Sequence, residues 1–151
     1  MATEEIDVRW AGGETDIEAA LAVREQVFCE EQGVPREEEA DARDQDALHV
    51  VAVDSAAARV VGTLRLLIDG STAKVGRVAV EAPWRRRGIA SRMLELALLD
   101  ARRRGCVEAR LAAQVQATEL YMHAGFAVES DVFDDAGMPH VWMGMRLDAE
   151  S

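Results

Sequence analysis

One stretch, Val78-Ala-Val-Glu-Ala-Pro-Trp-Arg-Arg-Arg-Gly-Ile-Ala-Ser-Arg-Met-Leu94, constrains this chain more than any other. An apolar strand enters a turn carrying three arginines and a glycine, and the turn opens directly onto a helix. Small residues at such a junction let backbone N–H groups converge on an anion at the helix N-terminus, where unsatisfied donors and the helix dipole both favour negative charge. Gly88 allows close backbone approach, Ala90 keeps the first helical turn free of bulk, and the arginines can add bidentate hydrogen bonds. Two other anion motifs are absent: no Gly-x-x-x-x-Gly-Lys-Ser/Thr occurs, and no Gly-x-Gly-x-x-Gly follows a strand. A basic turn ahead of a helix can also be a solvated helix start, so the reading needs support from elsewhere in the chain.

That support lies in Ala113-Gln-Val-Gln-Ala-Thr-Glu-Leu-Tyr-Met-His-Ala-Gly-Phe126. Here a short helix ends at Gly125 as a C-terminal cap, Leu120 faces the core, and Phe126 begins the next strand. The two segments resemble, in order and separation, the signatures of the GNAT superfamily of acyl-CoA N-acyltransferases. Arg85-x-x-Gly88-x-Ala90 is similar to its coenzyme A loop, Arg/Gln-x-x-Gly-x-Gly/Ala. The second segment is similar to Asn-x-x-Ala-x-x-Leu-Tyr-x-x-x-Gly-Phe, with Ala117, Leu120, Tyr121, Gly125 and Phe126 in place and Gln114 where the family has asparagine. The resemblance implies acetyl-CoA as co-substrate, its pyrophosphate held by Arg85, Arg86, Arg87, Gly88, Ile89, Ala90 and Ser91. It implies a pantetheine arm running along the backbone of Val78, Ala79 and Val80, a contact from Gln114, and Tyr121 as general acid. A buried packing tyrosine is the competing reading of Tyr121.

At 151 residues and 16.5 kDa the chain is read as one domain, 1–151, large enough to bury a core. Its net charge of −11 argues against a nucleic-acid binder, since phosphate backbones call for basic surface. No apolar run approaches the roughly 18 residues of a membrane span, and Met1 to Trp10 carries no leader pattern. Cys29 and Cys106 are isolated, and His49, His123 and His140 are scattered, so a metal-free cytoplasmic protein is expected.

Along the chain, Ile6 to Trp10 alternates as a first strand. Thr15-Asp-Ile-Glu18 fits a capping box opening a helix to about Phe28, with Ile17, Ala20, Leu21, Val27 and Phe28 as its apolar stripe. Glu30 to Asp46 is acidic and broken by Gly33 and Pro35. Leu48 to Val53, Arg59 to Ile68 and Ala73 to Val80 read as strands, the last two joined by a hairpin at Asp69-Gly70. Ala90, Met93, Leu94, Ala97, Leu98 and Ala101 mark a helix that Gly105 stops. Val107 to Ala112, Phe126 to Val132 and His140 to Leu147 are the remaining strands, with Asp135-Ala-Gly-Met-Pro139 connecting the last two. The order β-α-β-β-β-α-β-α-β-β implies an α+β domain. It is also the GNAT order: a mixed, mostly antiparallel central sheet with helices on both faces.

Leu21-Ala-Val-Arg-Glu-Gln-Val-Phe-Cys-Glu-Glu-Gln-Gly-Val-Pro35, followed by Asp41, Asp44, Asp46 and His49, resembles the ElaA-like bacterial subgroup, as does the tail Ala136-Gly-Met-Pro-His-Val-Trp-Met143. Arg24 lies on the apolar stripe of its helix, so its burial demands a carboxylate, with Asp41, Asp44 and Asp46 nearest in sequence. No carboxylate lies between Val75 and Val80, where many relatives place a base, which leaves Glu31, Asp46 and His140 as base candidates. The same amino-terminal pattern is reminiscent of acyl-homoserine-lactone synthases, which run longer. A coenzyme A-binding or sensing module without turnover is the alternative of a different class. The implied acceptor is a small-molecule or peptide amine. Many relatives are dimers, so the resemblance admits a homodimer, which the chain's own residues neither require nor exclude.

Overall fold

The computed structural model describes residues 5–147; the first four positions of the leader reading lie outside them. The chain forms β1 (Ile6–Trp10), α1 (Glu14–Arg24), a π-helical extension (Glu25–Glu31), the short α2 (Arg36–Glu39) and a 3-10 turn (Ala42–Gln45). It continues through β2 (Leu48–Asp54), β3 (Arg59–Asp69), β4 (Thr72–Val80), a 3-10 turn (Ala82–Trp84) and α3 (Ile89–Arg103). The last part is β5 (Glu108–Gln114), a 3-10 turn (Val115–Ala117), α4 (Thr118–Ala124), β6 (Ala127–Val128), β7 (Phe133–Asp135) and β8 (Met138–Arg146). The strands make one sheet in the order β1-β2-β3-β4-β5-β8-β6, with β7 also pairing β8. Among the described residues only β4 and β5 pair in parallel, and the rest is antiparallel. This is the expected mixed sheet with helices on both faces.

Helix α3 forms because Met93, Leu94, Ala97, Leu98 and Ala101 recur at helical spacing and only Ile89, at its first position, is β-branched. Those five side chains are buried against Val50, Leu64, Leu66 and Met143 of the sheet. Full burial of each large one contributes on the order of 2 kcal/mol. Arg102 and Arg103 complement the dipole in the last turn, and Gly105, at a φ of 87°, lets the chain leave the helix. On the opposite face a smaller cluster seats Val23 and Val27 on Ala79.

Three expectations are corrected. No capping box opens α1: its N-cap is Gly13 with no side-chain bond, and the Asp16 carboxylate instead accepts from the Gly12 N–H at 2.7 Å and from Arg9 at 2.6 Å. The helix does not stay α to Phe28. From Glu25 it widens to a π-helix, which keeps Val27 against the sheet while Phe28 and Gln32 line a cavity. The segment from 126 to 139 is not one strand and a connection. Ala136 and Gly137 both have positive φ, 55° and 80°, and close a two-residue hairpin that adds β7 to the sheet.

The acidic stretch after α1 is pinned rather than solvated. Arg24, fully buried, donates to Glu39 Oε2 at 2.5 Å and to Asp44 Oδ1 at 2.7 Å. Arg65 of β3 binds Asp41 at 2.7 Å and Asp44 at 3.0 Å, and Arg77 of β4 reaches Asp41 at 3.3 Å. Arg24 therefore does find a carboxylate among the expected aspartates, the half-buried Asp44. Glu39 is a partner that sequence did not point to, and Asp46 takes no part.

Burial alone would push the Asp44 carboxyl up, but the hydrogen bonds and charges of Arg24 and Arg65 outweigh it and hold it at about 2. Arg65 likewise holds Asp41 below the usual carboxylate range. A group depressed in the folded state stabilises above its unfolded pKa near 4 and loses that contribution as pH falls toward its folded value. The melting temperature is expected to be flat from pH 7 to 5 and to drop between pH 4 and 2. Asp44→Asn should lower the neutral-pH value and flatten the acid limb; an unchanged acid limb in that variant would remove Asp44 from the account.

Candidate active site

The central feature is a parting of the sheet. β4 and β5 pair only where Thr72, Ala73 and Lys74 meet Glu108, Ala109 and Arg110. Beyond Lys74 they diverge, and a bulge in β4 accompanies the divergence. Arg65 pairs with Gly76 and Thr63 with Ala79, so Arg77 and Val78 together face Leu64. Arg77 has a φ of 53°, which costs a non-glycine residue on the order of 1 kcal/mol. Its own side chain holds it there: Nε and Nη2 donate to the Glu39 carbonyl at 3.0 and 2.9 Å. The bulge and the acidic loop are thus one mechanical unit.

After the bulge, the Glu81 N–H donates to the Val61 carbonyl at 2.9 Å. By strand alternation Val80 turns its own N–H and C=O away from β3, toward the parting. The Val80 carbonyl accepts from Arg85 Nε at 2.7 Å. A cavity of about 1020 Å³ opens here, walled by Val75 to Val78 of β4, by Leu111, Ala112 and Gln114 of β5, and by Phe28 and Glu38 from the loop side.

At the head of α3, Gly88 is the N-cap in the left-handed region (φ 78°), and no side chain caps the helix. Among the described residues, the first-turn N–H groups of Ile89, Ala90 and Ser91 therefore have neither an intrahelical nor a side-chain acceptor. Arg86 also has positive φ, 63°. The three arginines are not equivalent. Arg85 makes a two-pronged pair with Glu31, both contacts 2.8 Å. Arg87 lies over the Trp84 ring at 4.9 Å. Arg86 is exposed and has no side-chain partner among the described residues.

Tyr121 sits on α4 at the inner wall of the cavity. The Gly125 N–H donates to the Met122 carbonyl and the Phe126 N–H to the Tyr121 carbonyl, both at 3.0 Å, which closes the helix in a Schellman motif. The apolar contact that accompanies this motif is here Tyr121 edge-on to Phe126, centroids 6.1 Å apart at 79°. Burial pushes the Tyr121 phenol up to about 12, so it carries its proton at neutral pH.

His140 is buried at the cavity wall on β8, in register with Gln114. Its Nδ1 lies 2.9 Å from the Met138 carbonyl, which can only accept, so Nδ1 bears hydrogen and the neutral ring keeps its lone pair on Nε2. The other base candidates are placed differently. Glu31 is committed to Arg85, and that arginine holds its carboxyl below the usual range. Asp46 is exposed just past the 3-10 turn and does not line the cavity. Gln114 lines the cavity, donating to Gln32 Oε1 at 3.0 Å and accepting from Gln116 at 2.8 Å. Sequence reasoning did not single out Arg65, Arg77 or Glu39, took Phe28 for a packing residue of the helix stripe, and named Trp142 only within the tail motif, yet all five line the cavity. For Arg65 and Arg77 the available signal was an arginine interrupting an apolar strand.

A sheet parted beside an uncapped helix N-terminus, with a protonated phenol at the parting, has the shape to seat an extended ligand with an anionic tail. The chain belongs to the GNAT acetyltransferase family: the profile of the Acetyltransferase (GNAT) domain matches residues 13–147. It is accordingly an acyltransferase. It is 35% identical over 137 residues to YjcF, an uncharacterized N-acetyltransferase of Bacillus subtilis, covering 88% of this chain and 94% of that one. Among solved structures it superposes on Escherichia coli ElaA with a TM-score of 0.81 at 22% identity, covering 95% and 99% of the two chains. It also matches the PaiA N-acetyltransferase of Thermoplasma acidophilum in complex with coenzyme A, with a TM-score of 0.74 at 21% identity over 94% and 99%.

Proposed function

We propose that the protein transfers the acetyl group of acetyl-CoA to a primary amine by direct attack within a ternary complex. The observation that carries this reading is the parting of β4 from β5 between the uncapped head of α3 and the protonated Tyr121. The coenzyme A complex of the Thermoplasma neighbour supports the choice of ligand. The residues present fit such a ligand: first-turn N–H groups and Arg86 suit a diphosphate, and the outward-facing backbone of Val78 and Val80 suits an amide-bearing arm. When bound, the coenzyme supplies an activated thioester and a thiolate leaving group.

The chain's own residues divide the remaining work. The walls of the parting align the reactants, and the Val80 N–H stands where a carbonyl oxygen gaining charge is stabilised. His140 Nε2 takes a proton from the incoming ammonium, freeing the nitrogen lone pair that forms the C–N bond. As the C–S bond breaks, Tyr121 gives its proton to the departing sulfur, the new C–N nitrogen sheds its second proton to solvent, and solvent reprotonates Tyr121 and takes the proton from His140. Of the three base candidates His140 is preferred, because Glu31 is spent on Arg85 and Asp46 stands outside the cavity. The acceptor is a cationic amine in its resting state. Lys74, Arg65, Arg77 and Arg110 all have carboxylate partners, whereas the carboxylates of Glu38 and Asp135 at the cavity wall make no ion pair among the described residues, Arg77 reaching only the Glu38 backbone carbonyl at 3.4 Å.

Release of free thiol from acetyl-CoA across an amine panel tests the reading directly. Binding of coenzyme A without turnover on any amine would assign a sensing module instead. Tyr121→Phe is expected to lower kcat by about ten- to a thousandfold, with coenzyme A affinity nearly unchanged by calorimetry. A variant with normal kcat would reduce Tyr121 to a packing residue.

A further inference from the structure

We propose that Glu31 and Gln32 form a clasp across the parting, and that its anchor Arg85 is a positioning residue for Val80 instead of a ligand of the diphosphate. This rests on the acetyl-transfer reading above. β4 and β5 pair only from Thr72 to Lys74, so beyond Lys74 neither lip of the parting has the other strand to hold it. The end of the π-helix takes that place. Glu31 Oε1 and Oε2 each accept from Arg85 on the β4 side at 2.8 Å. The next residue, Gln32, accepts from Gln114 Nε2 of β5 at 3.0 Å. Two adjacent side chains thus hold opposite lips.

The turn that carries them is closed by its own backbone. The Gly33 N–H donates to the Cys29 carbonyl at 3.1 Å and the Val34 N–H to the Phe28 carbonyl at 2.8 Å. Val34 is buried, and Phe28, Gln32 and Val34 all line the cavity. The clasp therefore belongs to the acceptor wall and joins that wall to both strands at once.

Arg85 carries the tie one step further. Its Nε donates to the Val80 carbonyl at 2.7 Å, in place of the N–H that a neighbouring strand would offer. The other side of the same peptide is held by the Glu81 N–H on the Val61 carbonyl at 2.9 Å. With both sides of that peptide fixed, Val80 is fixed where its own N–H stands in the parting. Three of the five N–H donors of Arg85 are committed in this way, and its charge is matched by a two-pronged carboxylate. A diphosphate would have to win the guanidinium from both partners, whereas Arg86 has no side-chain partner among the described residues. Arg85 and Glu31 are 39% and 40% exposed, so their pair adds little to stability and its variants report on position instead of folding.

The test separates the two bonds of Arg85. Glutamine puts an amide nitrogen as many bonds from Cα as Arg Nε, so Arg85→Gln keeps a donor for Val80 and drops Glu31, whereas Arg85→Met drops both. Calorimetry with coenzyme A should place both variants within about threefold of wild type, with the same dependence on salt. Arg86→Gln should lose about tenfold and much of that dependence. Thiol release from acetyl-CoA is then measured with putrescine, 2-phenylethylamine and a lysine peptide. Glu31→Met and Arg85→Gln should each raise the acceptor KM by about fivefold, and the double variant no further, because they cut one tie. Arg85→Met should also lower kcat by about tenfold, a loss that Arg85→Gln recovers. Coenzyme A affinity that falls tenfold or more in both Arg85 variants returns Arg85 to the diphosphate and overturns the proposal. Unmoved acceptor KM values overturn it too, as does an additive loss in the double variant, which would have Glu31 act apart from Arg85. Turnover of no amine by protein that binds coenzyme A removes the acetyl-transfer reading and leaves the Arg85 assignment to two other readouts. The affinities then decide whether Arg85 serves the diphosphate. Amide exchange at Glu81, quickened in Arg85→Met but not in Arg85→Gln, decides whether it holds Val80, and equal exchange in the two sinks that role.

Discussion

Replacing Gly88 with aspartate is expected to weaken coenzyme A binding at least about a hundredfold, roughly 3 kcal/mol, to the edge of detection by calorimetry. Bulk is not the cause, because a Cβ at this position meets nothing within 4 Å. Two other effects add. Gly88 holds a φ of 78°, a conformation that charges an L-residue about 1 kcal/mol. The new carboxylate would also stand at the head of α3, where it would accept the first-turn N–H groups that a diphosphate needs and would repel the diphosphate itself. Gly88→Asn separates the two, since asparagine tolerates the left-handed region and carries no charge. It should lose far less affinity than the aspartate variant. Equal losses in both would place the effect in the backbone, and unchanged affinity in Gly88→Asp would remove α3 from the coenzyme site.

The second large effect is expected at Arg24. Arg24→Met keeps the stem's volume but takes the shared cation from Glu39 and Asp44, two largely buried carboxylates, leaving them under-compensated with only Arg77 at 3.5 Å and Arg65 at 3.0 Å. Breaking a buried pair from one side costs about 3 to 5 kcal/mol, which for a chain of this length lowers the melting temperature by roughly 10 °C. Kinetics should change selectively. Arg77 ties the Glu39 backbone to the β4 bulge, so a loosened loop disturbs the acceptor side and raises its KM. Coenzyme A affinity should persist, because the head of α3 is untouched. Adding Glu39→Gln and Asp44→Asn to Arg24→Met should recover much of the stability by removing the under-compensated charges. Stability lost without any change in acceptor KM would make the network a structural clamp alone.

Most of the fold was legible where one physical signal dominated. Helix α3 has a clean apolar stripe and a glycine stop, and Gly125 ends α4 because only that residue suits the conformation. The hairpin at Asp69-Gly70 follows from turn chemistry. Legibility failed where side chains bond to places that sequence does not show to be near. Thr15-Asp-Ile-Glu18 has the letters of a capping box, yet Arg9 and Gly12 draw Asp16 away from that role. The turn at Ala136-Gly137 was missed because alanine is a poor advertisement for positive φ. At the candidate site, the residues of the basic turn and Tyr121 could be named from motifs. The pairing of Arg85 with Glu31, 54 positions apart, could not, since nothing in the spacing of α1 and α3 encodes it. The same holds for Arg65 and Arg77, whose meaning depends on the acidic loop folding back over β3 and β4.

The parting of β4 from β5 also has a consequence for how the molecule holds together. The strands from β1 to β4 form one continuous hydrogen-bonded raft and those from β5 to β8 another, joined within the sheet by three register pairs. Helix α3, seated on the first raft and touching α4 beneath the second, is the main splint across the seam. A ligand lying along the seam adds hydrogen bonds to both rafts at once, so its binding energy is also energy of cohesion. The stability of the protein then follows the concentration of that ligand, growing as the logarithm of its ratio to the dissociation constant. Starved of it, the protein should first slacken along the seam, with amide exchange quickening at Val78 and Val80 ahead of the antiparallel strands on either side.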